Sequence, residues 1–133
     1  MEALERRLAR FRSDESGSQT IESVIWLPVF SMFLVLIIDV SMVFNKQSEL
    51  LRIVQDANRA YSTGRLASAA EAESFVQAAV ANYTSNPSVT TTLVNGVITT
   101  RLVVPATDLM PINSFPVFKD KDVVIATQHL AEF

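Results

Sequence analysis

The chain has 133 residues, a net charge of −3, 49% hydrophobic residues and no cysteine. Apart from an apolar N-terminal stretch it leaves roughly 90 residues, enough for one small domain with a modest core and too few for two. The basic residues form no stripe, so there is no electrostatic footprint for nucleic acid, and the lack of cysteine excludes disulfides, thiolate metal sites and cysteine nucleophiles.

Residues 1–17 read as a polar basic leader carrying Arg6, Arg7, Arg10 and Arg12. Lys and Arg near a span set its orientation, so the leader favours a cytoplasmic N-terminus, although Lys46, Arg52 and Arg59 lie on the other side. Residues 18–44 read as a transmembrane helix. From 24 to 44 the only charge is Asp39, and roughly 20 mostly apolar residues let a helix cross a hydrocarbon core about 30 Å thick. A secretory signal peptide would have a shorter apolar run with a small-x-small site after it. Here the run leads instead into Asn45, Lys46, Gln47 and Ser48.

Within the span, Pro28 removes one intrahelical hydrogen bond and should loosen or kink the helix. Glu22 and Asp39 are separated by roughly 26 Å on a continuous helix, close to the thickness of the core. Two readings of Asp39 follow. Either the two acids mark the two boundaries, or Asp39, with Val40, Met42, Val43 and Phe44 continuing the apolar run, lies inside. A carboxylate deep in a span costs on the order of 2.5 to 3.5 kcal/mol and so points to a function or a partner.

Residues 45–133 are expected to form an exported α+β domain. A helix over 45–63 continues the span, with Leu50, Ile53, Val54, Ala57, Ala60 and Tyr61 at helical spacing and Gly64 as its stop. Ser68 and Glu71 have capping-box spacing at the start of a second amphipathic helix over 69–84, whose stripe includes Ala72, Phe75, Val76, Ala79, Val80 and Tyr83. Residues 88–104 are two β-branched runs around Asn95-Gly96, a hairpin signal. A two-residue turn pairs Leu93 with Ile98 and Val89 with Leu102 on the face to be buried, and Thr92 with Thr99 and Thr90 with Arg101 on the other. Residues 105–122 contain three prolines and should be mostly loop, and 123–130 read as a third strand. The architecture expected is a long helix and a second helix on a small antiparallel sheet.

No catalytic constellation can be assembled. His129 is the only histidine, which rules out a histidine metal cluster and leaves no Ser/His/Asp arrangement around a second ring. Asp108, Asp120 and Asp122 lack the spacing of a calcium loop. The chain is therefore expected to be no enzyme, with no cofactor, metal or small-molecule substrate.

The junction of leader and span is more informative. A basic leader, Gly17, the uncharged Ser18-Gln19-Thr20-Ile21, Glu22 and an apolar helix follow one another as in type IV prepilins. With Leu27-Pro28, Asp39, Asp56-Ala57-Asn58-Arg59-Ala60 and Gly64, residues 6–64 resemble the TadE-like minor pseudopilins of the tight-adherence (Flp, type IVb) pilus system of bacteria. Ser23 departs from the pattern, since family members usually carry an aromatic or large apolar residue after the glutamate. The resemblance implies cleavage between Gly17 and Ser18 by a prepilin peptidase, residence in the bacterial inner membrane with the C-terminal domain exported, and partners among other pilins and pilus-assembly proteins. Glu22, Pro28 and Asp39 would serve helix packing during assembly, with the Glu22 carboxylate neutralising the new amine at Ser18 of a neighbouring subunit. The alternative is an unprocessed single-pass scaffold or binding module, whose Thr90, Thr92, Thr99 and Arg101 face does the recognising if that side of the sheet is open.

Overall fold

The computed structural model describes residues 16–113 and 115–132, with side chains from residue 19 onward. Residues 1–15, most of the basic leader, lie outside the described residues. The order of elements is a long helix α1 (Ser16–Ser62), a second helix α2 (Ala69–Val80), strands β1 (Ser88–Val94) and β2 (Val97–Pro105), a one-turn helix α3 (Ala106–Leu109), a 3-10 turn (Pro116–Phe118) and strand β3 (Asp122–Leu130). The chain forms two compact units that divide within α1, the first ending at Val35 and the second starting at Leu36.

In the first unit, every side chain of α1 described up to Leu34 is exposed, most of them large and apolar. A helix apolar on all sides is stable only if lipid or other protein surrounds it. It is long and apolar enough to cross a membrane. The helix continues through Pro28, whose missing N–H deprives the Val24 carbonyl of its intrahelical donor.

In the second unit the burial pattern of α1 becomes periodic. Leu50, Val54 and Ala57 are fully buried and pack with Val76 and Val80 of α2 against Val89, Leu102, Val104, Leu109 and Ile125. Full burial of such a side chain is worth about 1.5–3 kcal/mol, so this cluster is the main source of the domain's stability. Val43, from the apolar run, also packs against it. Gly64 ends the segment with φ of +72°, while the Arg65 and Leu66 amides both donate to the Ala60 carbonyl. A residue with a Cβ would be strained at that φ.

The start of α2 is capped as the Ser68 and Glu71 spacing predicts, with one change. Ser68 Oγ accepts the Glu71 amide at 3.2 Å, but the Glu71 carboxylate reaches back to the Ala67 amide at 2.8 Å instead of that of Ser68. The helix stops at Val80, short of the expected 84, because residues 81–83 tighten into a turn in which the Tyr83 amide donates to the Val80 carbonyl. Phe75, counted with the buried stripe, is 44% exposed.

The three strands form one antiparallel sheet in the order β1-β2-β3. The hairpin register is the expected one, with Leu93 opposite Ile98, Val89 opposite Leu102, Thr92 opposite Thr99 and Thr90 opposite Arg101. Asn95 and Gly96 both have positive φ, the geometry that a tight two-residue turn demands. Leu93 nevertheless remains 40% exposed near the turn. Residues 105–122, expected to be mostly loop, contain α3 and the 3-10 turn, and α3 buries Ala106 and Leu109. The fold is thus α+β, as the change of hydrophobic period along the chain predicts.

Candidate functional site

Three surfaces carry the residues singled out from the sequence. The first is the exposed part of α1. Gly17 lies in its first turn, followed by Ser18. Glu22 is exposed on the same face as Gln19, Trp26 and Phe30, and the two rings stack in a tilted arrangement with centroids 6.1 Å apart. Ser23, where a large apolar residue would be usual, instead turns its hydroxyl to the Gln19 carbonyl at 2.9 Å. Ser31 does the same to the Leu27 carbonyl at 2.8 Å, next to Pro28. Such back-bonding hides a hydroxyl's polarity from an apolar environment. The surface of this segment is therefore largely apolar, with Gln19 and the Glu22 carboxylate its exposed amide and charge.

The second is the surrounding of Asp39. Its side chain is 1% exposed, and its Oδ1 accepts the backbone N–H of Ile112 at 3.1 Å. Oδ2 is buried and has no partner among the described residues. Neither sequence reading contained this contact. The carboxylate fixes the segment after α3 to the long helix. Uninterrupted exposure of α1 ends at Leu34: Val35 and Leu36 are half-buried, Ile37 and Ile38 are exposed again, and Asp39 is the first buried residue. Ile112 itself was missed. The signal available was the apolar content of a proline-rich segment, with Met110, Ile112, Phe115, Val117 and Phe118 between Pro105 and the charged residues 119–122. A loop that only connects elements is usually more polar.

Further along α1, Asn58 is buried and holds the helix to the centre of the sheet. Its Nδ2 donates to the Thr127 hydroxyl at 2.7 Å and to the Thr127 carbonyl at 3.2 Å, and its Oδ1 accepts the Thr100 hydroxyl. The Thr100 and Thr91 hydroxyls share a hydrogen bond of 2.9 Å, and the Thr91 amide donates to Glu73 at 2.7 Å. Polar groups of α1, α2 and all three strands are thereby satisfied in one chain, which makes this network a registering device. At the edge of the same core the Tyr83 hydroxyl donates to Glu49 at 2.9 Å. Accepting that hydrogen bond, the carboxylate holds the phenol protonated and raises the pKa of Tyr83, with desolvation and the charge of Glu49 adding to the effect.

The third surface is the face of the sheet opposite the helices. Thr90, Thr92 and Arg101 are exposed and Thr99 is half-buried, and no described element covers them. His129 pairs with Ile98 on β3 as an ordinary sheet residue. No group of three or more His, Asp or Glu able to hold a metal stands together among the described residues.

Residues 17–59 match the model of the family described as TadE-like protein. The matched segment opens on Gly17, contains Glu22, Pro28 and Asp39, and ends just after Asn58. No curated protein and no solved structure is detectably similar to the chain.

Proposed function

We propose that this chain, which carries a TadE-like segment at residues 17–59, is a minor pseudopilin. It is cut after Gly17, held in the inner membrane by α1 with the α+β domain exported, and packs through that helix during assembly of a tight-adherence pilus. The family match supports a role connected with the Tad pilus. The observation that carries the finer reading is the first unit of α1, apolar on all sides and bearing one acid, Glu22, five positions after Gly17. A passive anchor has no use for that acid. In a bundle of processed helices its carboxylate neutralises the terminal amine of a neighbouring Ser18, an interaction strengthened away from water. Pro28 and the hydroxyls folded back on the helix fit a segment that leaves lipid and packs against its own kind.

Two variants test this in cells that carry the pilus system. Gly17→Ala is expected to leave full-length precursor in the membrane. Glu22→Ala is expected to be processed normally yet to be lost from assembled pilus complexes. Processing of the glycine variant at the wild-type rate sinks the proposal.

A second reading, an unprocessed single-pass scaffold or binding module, is favoured by the uncovered Thr90, Thr92, Thr99 and Arg101 face. On that reading Arg101→Glu abolishes partner capture while Gly17→Ala changes nothing.

A further inference from the structure

The segment after α3 is apolar, exposed and fixed at a particular level of the long helix. Ile112 is 47% exposed and Val117 is 71% exposed, although one lies in irregular backbone and the other in a 3-10 turn of the connection between β2 and β3, where polar residues are the rule. The bond from the Ile112 amide to Asp39 ties this segment to α1 directly after the exposed Ile37 and Ile38. Just beyond Asp39, Val40, Val43 and Phe44 line an apolar groove of about 260 Å³ together with Met110, Phe118 and Lys121. The charged residues Lys119, Asp120, Lys121 and Asp122 follow directly.

We propose that Ile112, Val117 and Phe118 form a lipid-seated foot of the domain, dipping into the bilayer interface around α1 where the span ends. The inference rests on the reading of α1 as a membrane span. Continuity selects lipid as the occupant. Ile37 and Ile38, at the end of the span, are exposed immediately before Asp39, the level at which Ile112 is held, and the residues after the foot carry the alternating charges suited to a headgroup layer. The backbone is equipped for that position, because irregular chain at the edge of lipid must have its polar groups satisfied within the protein, and Asp39 supplies the acceptor for Ile112. The span then covers residues 21–38, whose rise of about 27 Å is close to that of a hydrocarbon core.

The opposite end of the domain provides the control. Val94 is 62% exposed and equally apolar, but it belongs to the hairpin end. There the Ala131 amide bonds Gly96 and the Glu132 amide bonds Ser62. Ser62 lies about 34 Å further along α1 than Asp39.

The chain has no cysteine, so single labels are unambiguous. Full-length protein carrying a fluorophore on Val117→Cys, Val94→Cys or Ile25→Cys is reconstituted in phosphatidylcholine vesicles containing lipids with a nitroxide on the acyl chain. The expected result is loss of most of the fluorescence at 25 and at 117 and none at 94. Quenching at 25 without quenching at 117 overturns the foot and leaves the span. Absence of quenching at 25 removes the span, and the foot with it. Equal quenching at 94 and 117 also overturns the proposal, as does a Val117→Cys chain that crosslinks to a second copy and escapes the quencher.

Discussion

Asp39 and Asn58 show how single polar residues on an otherwise apolar helix can decide where the rest of the chain sits. Replacing Asp39 with leucine strips the part-buried Ile112 amide of its acceptor, a loss of about 0.5–1.5 kcal/mol for a typical hydrogen bond. Asp39→Leu should therefore loosen the segment after α3, read as faster hydrogen exchange at the Ile112 amide, while Asp39→Asn keeps an oxygen in place and should preserve protection. Asn58→Ala removes the hydrogen bonds of Asn58 to Thr100 and Thr127, leaving Thr100 only its bond to Thr91, for an expected loss of about 2–4 kcal/mol in denaturant unfolding of the domain. Tyr83 makes a pH-dependent contribution. Its pKa is raised in the folded state by the hydrogen bond to Glu49, so the stabilisation is fully present below the ordinary phenol value of about 10 and is lost as pH rises through the raised value. Tyr83→Phe should flatten the stability profile in alkaline solution and leave it unchanged in slope near neutrality; an unaltered alkaline limb contradicts the assignment.

At the scale of elements, the sequence was most readable where local chemistry is decisive. Gly64 and the Asn95-Gly96 turn take the positive φ values their residue types allow, and the pairing of the two β-branched runs follows from the turn length alone. Periodicity was less informative about which stripe residues are covered, because burial depends on how far the partner surface extends. Phe75 falls on the stripe of α2 yet stays 44% exposed, whereas Val76 beside it is fully buried. Val76→Ala is accordingly expected to destabilise by about 1–3 kcal/mol and Phe75→Ala by less than about 1, a difference visible in urea midpoints. The segment between β2 and β3 was the least legible. Its prolines signal loop, but its packing depends on contacts with α1 more than 70 positions away, such as Asp39 with Ile112, and no local pattern records a long-range hydrogen bond.

For the whole molecule, the division within α1 separates a part that needs an apolar environment from a part that builds its own. The change from exposed to periodically covered side chains begins at Val35 and reaches full burial at Asp39, before Phe44 where the apolar run ends. Hydropathy could not reveal this, because Val40 and Val43 are as apolar as the residues before them and differ only in what covers them. The resemblance carried by Gly17, Ser18 and Glu22 agrees with a TadE-like match that starts on the same glycine, and cleavage there is the proposal. The central claim is that the first unit of α1 is a working surface released by processing. N-terminal sequencing of the mature protein purified from the membrane of its own host tests it most directly. The account predicts a chain beginning at Ser18, and a chain beginning at Met1 contradicts it.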